Sequence, residues 1–534
     1  MISESPIDTS TLLTILGLIA AVWAIVPSST RLRFKLSVTW SDWLIVSAVF
    51  IVIHYLLFEK ILKSLGLYYS FGPWKWGFDK NSAIYILFFI LSAFILIRVR
   101  APKIARRNIA DFAKLVDRLL LTKRYDELVS IVEPQFSKLI SFRQEKSFIA
   151  IILNKISQHR TLDIESILNG TNRATESKIK SYICKKLYKL EAIITKNHKH
   201  SIQTDHLLRS LYNSEPFVTY LASAYPDFGL RMLEKPEVVR EDFLEIFINA
   251  LLVENSSRLY IELKNNKNLN GTYRLALPEN NKILCYFFKD VTVAQNHALY
   301  RAIGESTLRM LNEDTRLAEK HNRSLSYIDD YAKYKSPIYA AVNLFEIMIH
   351  EGIHQVQQDH LWLYYFNYFT NSILLQLRDK KEDDVNHEFP TLFHFIIYEM
   401  VSTTSNWIND CLEINITELP ETKTKRQGFN PYYISESAAK SQGILIQSIL
   451  NSPKIDKRFK SYMLEIALQS YIKIKDKPEV ASVSHNLKSS LTNGLDIKTK
   501  PEYRKELKNT FMELDHVIRL RIPEFANQID ESLR

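Results

Sequence analysis

The sequence predicts a predominantly α-helical protein, in which three transmembrane helices precede a large helical cytoplasmic domain. Only 12 of the 534 residues are glycine, and the Leu-, Ile-, Lys- and Glu-rich composition favours helices. Apolar residues recur at helical spacing from residue 104 onward. Three uncharged apolar runs occupy most of the first hundred residues. A chain of this length exceeds one ordinary core, so two or three structural units are expected.

The three apolar runs cover residues 11–27, 43–58 and 83–99, and they define a predicted membrane domain over residues 1–100. Each run is close to the minimum length of a membrane-spanning helix. The N-terminal segment contains Glu4 and Asp8 but no Lys or Arg, which is unlike a cleavable signal peptide. Basic residues concentrate in the first loop and directly after the third run. The positive-inside rule then predicts a multi-pass protein of the inner or plasma membrane, with its N-terminus outside and residues 101–534 in the cytoplasm.

The cytoplasmic part is predicted to comprise a helical domain over residues 101–255 and a mixed, mainly helical domain over residues 256–534. A small β region is expected near residues 258–294, where the short runs RLYIEL, TYRLAL and KILCYFF are separated by turn signals. The three cysteines are odd in number and far apart, so a disulfide framework is not indicated.

The net charge of +10 comes largely from juxtamembrane and scattered basic residues, which are typical contacts with anionic lipid. No Arg-rich helix and no nucleotide-binding glycine motif is present, so nucleic acid is an unlikely partner and nucleotide hydrolysis has no support. The predicted partners are the lipid bilayer and a protein or peptide substrate, and a homo-oligomer remains open.

The most informative motif is the HExxH at residues 350–354. It lies on a predicted helix that begins with Ser336 as its N-cap and Pro337 at the first helical position. Four helical residues turn by about 400°, so His350 and His354 share one face. Two neutral imidazoles in this arrangement supply half of a tetrahedral zinc shell, and Glu351 is placed to accept a proton from water.

Over about a dozen residues the chain resembles the zincin-type zinc metallopeptidases, which carry this HExxH motif. The resemblance implies a Zn²⁺ cofactor, peptide-bond hydrolysis, His350 and His354 as metal ligands, and Glu351 as general base. The third ligand is open. Glu399 is the preferred candidate, and the alternatives are Glu436 and His360.

His360 would match the HExxHxxGxxH variant of the family. That variant has a glycine where this chain has Gln357, and an unbroken helix would carry His360 onto a different face. A small sheet ahead of the motif, as predicted near residues 258–294, would suit the family, in which an edge strand holds the extended substrate.

A non-enzymatic interpretation stands beside the metallopeptidase, so whether the protein is an enzyme is uncertain. Glu346, His350, His354 and Gln358 recur every fourth residue and would form an ordinary polar stripe on one helix face. The protein would then be a membrane-tethered helical sensor, scaffold or membrane-acting effector, such as a bacterial stress or phage-defence protein.

Overall fold

The computed structural model describes residues 36–69, 80–100, 104–144, 199–234, 241–269, 280–324, 333–359, 363–378, 389–414, 428–494 and 501–533, together with positions 24 and 31. The described chain is predominantly helical, as the sequence predicted. Its β-type pairing consists of a single isolated bridge between Ser324 and Thr391. The chain divides into two compact units, Met1–Phe217 and Val218–Arg534. This boundary falls inside the segment predicted as one domain over residues 101–255.

The first unit contains two long apolar helices and a bundle of shorter ones. They are α1 (Trp40–Leu57), α2 (Glu59–Ser64), α3 (Lys80–Arg100), α4 (Ile109–Leu121), α5 (Tyr125–Val132), α6 (Phe136–Gln144) and α7 (Lys199–Asn213). The bundle is closed by the buried apolar faces of α4, α6 and α7, which meet in one core. An ion pair of 2.8 Å between Arg143 Nε and Asp205 Oδ1 joins α6 to α7. The next helix, α8 (Glu215–Ala224), crosses the boundary between the units.

One helix of the described residues, α1, is long and apolar enough to cross a membrane. Its 18-residue window has a mean hydropathy of 1.7, and only 11% of the window is buried. Residues 82–98 of α3 form a shorter apolar helix. The structure therefore provides one helix that is both long and apolar enough to span a membrane where the sequence predicted three, and the predicted run at 11–27 lies, apart from position 24, outside the described residues.

Helices α1 and α3 pack against each other as a hairpin. Ile53, Ile84 and Phe88 form the buried centre of their contact. Towards one end, Arg98 donates to the Asp42 carboxylate from Nε at 3.1 Å and from Nη2 at 2.7 Å. A two-donor charged pair is more specific in geometry than a single contact, so it fixes how the two helices align.

The second unit is a larger helical assembly. Its helices are α9 (Pro226–Leu233), α10 (Glu241–Val253), α11 (Arg258–Leu269), α12 (Lys282–Phe288), α13 (Val291–Asn296), α14 (Leu299–Glu313), α15 (Thr315–His321), α16 (Pro337–His354), α17 (Tyr364–Gln376), α18 (Leu392–Asn409), α19 (Tyr433–Asn451), α20 (Lys457–Ile474), α21 (Ala481–Asn493), α22 (Pro501–Glu513), α23 (His516–Arg521) and α24 (Pro523–Leu533). Helices α19 and α21 approach so closely that a Cβ on Gly443 would lie 2.4 Å from the carbonyl carbon of Ser490. Helix α18 packs against both α19 and α20, and α16 packs against α18.

The predicted β region near 258–294 is wrong for the residues that the structure describes, because RLYIEL belongs to α11 and KILCYFF forms α12. The run TYRLAL lies outside the described residues. The buried Glu262 explains the helical outcome: its carboxylate accepts Arg258 Nε at 2.9 Å, one helical turn away. It also accepts the backbone N–H groups of Ile283 and Leu284 at 2.8 and 3.1 Å, so one carboxylate binds two of the N–H groups in the first turn of α12. A short apolar run fits a strand or a buried helix equally well. For KILCYFF, the hydrogen bonds from its N–H groups to the distant Glu262 favour the helix.

The start of α16 is held by a buried histidine at the end of α15. The His321 Nδ1–H donates to the Leu317 carbonyl at 2.8 Å, which leaves Nε2 to accept the Ser336 hydroxyl at 2.7 Å. The Ser336 oxygen in turn accepts the Tyr339 N–H at 3.2 Å and caps α16. This chain of hydrogen bonds requires a neutral imidazole. Burial lowers the pKa of His321 from 6.5 to about 4.

We expect the free energy of unfolding to fall between pH 6.5 and pH 4 through His321. In this range the unfolded state binds a proton on the imidazole and the folded state does not, so protonation favours unfolding. A depression of this size corresponds to about 3 kcal/mol at its limit. Urea unfolding of the full chain in detergent, followed by tryptophan fluorescence, should show a smaller acid-induced loss in His321→Gln than in the parent. The exposed His485 on α21 provides the control, and equal losses in the parent, His485→Gln and His321→Gln would contradict the prediction.

Candidate metal centre

Helix α16 carries the HExxH motif in its final turn. It begins as the sequence predicted, with Ser336 as N-cap and Pro337 first, and it ends at His354. Val356 follows in the left-handed region at φ +54°, which a β-branched residue rarely adopts. The Gln357 N–H then bonds back to the Gly352 carbonyl at 2.9 Å and closes the helix end. The expectation of an unbroken helix beyond His354 is therefore wrong, although no glycine stands at the break.

The two histidines lie together on one face of α16, as predicted. Their ring centroids are 4.4 Å apart, and the rings meet edge to face. His350 is buried and His354 is half-buried. The pair is thus partly withdrawn from water, in a setting where a metal ion would have few competing ligands.

The carboxylate that meets this pair belongs to Asp410. The His350 Nδ1–H donates to Asp410 Oδ2 at 2.8 Å, and a carboxylate at this position can only accept. In the neutral form of this ring, the proton is therefore on Nδ1 and Nε2 carries the lone pair. This Nε2 atom is buried and has no hydrogen-bond partner among the described residues. An imidazole whose Nδ1–H is held by a carboxylate and whose Nε2 is left open is the usual second-shell arrangement of a metal-binding histidine.

His350, His354 and Asp410 form a group whose potential ligand atoms all lie within 4.8 Å of one another. Asp410 opens the 3₁₀ turn Asp410–Glu413 that directly follows α18. The end of α18 is fixed against α16 by Trp407, whose Nε1–H donates to the Glu346 carbonyl at 3.4 Å. This contact brings Asp410, which follows His350 by 60 positions in the chain, to the histidine pair. The donor set of imidazole nitrogens with a carboxylate suits zinc better than magnesium or calcium.

None of the predicted third ligands joins this group within the described residues. Glu399 lies in the middle of α18, ten residues before its end, which corresponds to about 15 Å along the helix axis. Glu436 accepts the Ser482 hydroxyl at 2.5 Å and so belongs to the contact between α19 and α21. His360 lies outside the described residues. Glu399 and Glu436 are therefore not brought to the histidine pair, and His360 remains a prediction.

Glu351 lies on a neighbouring side of α16 and is half-buried. The Gln355 side-chain amide reaches its carboxylate at 3.4 Å. The same amide donates to the Phe288 carbonyl at 3.0 Å and accepts the Val291 N–H at 2.9 Å, so it is fixed to the junction of α12 and α13. Glu351 thus has, in Gln355, a neighbour that limits its movement.

Sequence reasoning missed Asp410, and the motif itself contains no signal for it. Its neighbour Cys411 is buried, and burial raises the pKa of the Cys411 thiol to about 12, so this sulfur stays protonated at neutral pH and is a poor metal ligand. Of these two neighbours, Asp410 is the one that bonds to His350.

Among known proteins, no family model, no curated protein and no solved structure matches the chain.

Proposed function

We propose that the protein is a membrane-anchored zinc-dependent metallopeptidase. The observation that carries the proposal is the His350 ring, whose Nδ1–H is held by Asp410 while its buried Nε2 has no partner among the described residues. A buried nitrogen lone pair without a partner costs free energy, which a metal ion on Nε2 would recover. The resemblance of the HExxH segment to the zincin family supports the same assignment.

The proposal gives each residue a separate role. His350 and His354 would hold the ion, and Asp410 orients His350 through Nδ1. Zinc held there would supply a Lewis acid that polarises the peptide carbonyl and eases deprotonation of a water molecule. Glu351 accepts a proton from the attacking water and returns it to the leaving amine. The third protein ligand is not assigned; of the three residues predicted for it, His360 is the one that lies outside the described residues.

The membrane part of the proposal keeps three spans, with the N-terminus outside and residues 101–534 in the cytoplasm. Its support is that α1 is apolar and only 11% of its window is buried, unlike the core helix of a soluble protein. The exposed side chains of α1 and α3 include Trp43, Ile51, Phe89 and Ile97, each at least 57% accessible. Lipid would cover these surfaces. The ion pair between Asp42 and Arg98 joins the start of α1 to the end of α3, as expected for two antiparallel spans.

The alternative is a membrane-tethered helical sensor, scaffold or effector without catalysis. The observation that favours it is that RLYIEL and KILCYFF, expected as strands ahead of the motif, are helices. A peptidase of the zincin type uses an edge strand to hold extended substrate, and the described part of this chain offers no such strand. In this alternative, His350 and Asp410 form a structural pair between α16 and the turn after α18.

Metal analysis tests the proposal most directly. We expect about one zinc per chain in the purified full-length protein by mass spectrometry, and only background zinc in His350→Ala/His354→Ala. The exposed His485→Ala variant should retain zinc and controls for losses during purification. Equal, near-zero zinc in parent and double variant, with both folded by circular dichroism, would exclude the metallopeptidase and leave the structural pair.

A further inference from the structure

A wide groove lies in the first unit, where the chain enters α1 and where it continues after α3. This basic groove has a volume of about 580 Å³ and is open to solvent, and it is lined by Thr39, Trp40, Ile104, Ala105, Arg106, Lys138, Ser141 and Phe142. The Leu36 carbonyl, just before the groove, accepts the Ala105 N–H at 3.3 Å and the Asn108 amide at 2.8 Å. The two chain segments that form the groove are therefore held together by direct hydrogen bonds.

The groove is positively charged. Arg106 and Lys138 approach the ring of Phe142, with distances of 5.8 and 5.3 Å from the cationic centres to the ring centroid. Lys138 Nζ also donates to the Ile104 carbonyl at 2.7 Å, which fixes the ammonium at the edge of the groove. No acidic residue is among its described lining residues. The nearby Asp42 carboxylate is paired with Arg98 and does not oppose a bound anion.

The groove adjoins the exposed apolar surface of α1. Trp40 lines the groove and is also the first residue of α1. Trp40 and Trp43 are 66% and 57% exposed, and tryptophans in this position are typical of the boundary between a membrane and water. A molecule in the groove would thus contact basic side chains at one end and the apolar surface of α1 at the other.

We propose that the basic groove binds the phosphate of an anionic phospholipid, with Arg106 and Lys138 as the phosphate contacts and the acyl chains along α1. This inference rests on the membrane association in the proposed function and is independent of the metal centre. A free phosphate ester offers the same charge, but it leaves the apolar side of the groove uncovered. The combination of basic and apolar surface therefore selects a lipid.

Native mass spectrometry of the full-length protein in detergent tests this site. Phosphatidylglycerol should bind the parent more tightly than phosphatidylcholine, and Arg106→Gln/Lys138→Gln should weaken phosphatidylglycerol binding by about 30-fold, since each basic residue near an anionic lipid surface contributes roughly a fivefold factor. The matched control is Lys114→Gln/Arg118→Gln, which removes the same charge from exposed positions on α4. The control should bind as the parent does. An equal loss of phosphatidylglycerol affinity in both double variants would show that the lipid binds through general charge attraction rather than in the groove, and it would overturn the proposal.

Two further measurements separate the remaining outcomes. Glycerol 3-phosphate should not displace phosphatidylglycerol at equal concentration, and if it does, the groove is a site for soluble anions rather than for lipid. Carbonate extraction of membranes should leave the parent and Arg106→Gln/Lys138→Gln in the pellet. Release of the parent would reject the membrane spans themselves, whereas retention without phosphatidylglycerol preference would reject only the groove.

Discussion

Glu351→Gln is expected to retain zinc and to lose hydrolytic activity by about 10²- to 10⁴-fold, the usual contribution of a general base. The amide has nearly the shape of the carboxylate, so α16 and the contact with Gln355 should persist. The glutamine amide, unlike the carboxylate, cannot accept a proton from water at neutral pH. The measurement is cleavage of a quenched fluorescent peptide library by the detergent-purified protein, with zinc determined on the same sample.

Glu346→Gln is the matched control, because Glu346 lies on the same helix and is also half-buried. It should cleave as the parent does. If Glu351→Gln retains parental activity, Glu351 is not the base. If the parent binds zinc but cleaves no library peptide, the non-enzymatic alternative replaces the metallopeptidase.

Asp410→Ala is expected to weaken zinc binding by about 10- to 100-fold, as loss of a carboxylate that orients a metal-binding histidine does in other sites. Without Asp410, His350 loses the bond that fixes its proton on Nδ1 and its ring orientation. Asp410→Asn should lose much less, because the amide oxygen still accepts the Nδ1–H. Zinc affinity is measured by competition with a chromophoric chelator.

The comparison of the Asp410 variants also distinguishes whether Asp410 orients His350 or binds the metal ion itself. If Asp410→Asn loses as much affinity as Asp410→Ala, the carboxylate itself binds the ion. Glu399→Gln is the control, since Glu399 lies on α18 away from the histidine pair, and its zinc affinity should equal that of the parent. A loss in Glu399→Gln would restore Glu399 as the third ligand.

The start of α16 was readable from the sequence because its determinants are local: Ser336 caps the helix, and Pro337 fits the first position. The shared face of His350 and His354 follows from the helical repeat alone. The helical character of the described residues was predictable for the same reason, since composition and spacing are summed over many residues.

The remaining features depend on contacts between distant residues. Asp410 reaches His350 because Trp407 fixes α18 to α16, and no local pattern encodes that packing. The strand predictions for RLYIEL and KILCYFF failed because these runs form α11 and α12, and the buried Glu262 of α11 binds the start of α12. The helix end after His354 was missed because Val356 adopts a conformation usually taken by glycine.

The end of α16 at His354 has an electrostatic consequence for the histidine pair. The carbonyl groups of an α-helix sum to about half a negative charge at its C-terminus. His354 is the last residue of this 18-residue helix, and His350 lies one turn before it. A metal ion held by the pair would therefore be stabilised by the peptide dipoles of α16. A longer helix would have placed the same two side chains in its neutral middle, so in the proposed metal site the turn at Val356 would favour cation binding without contacting the cation.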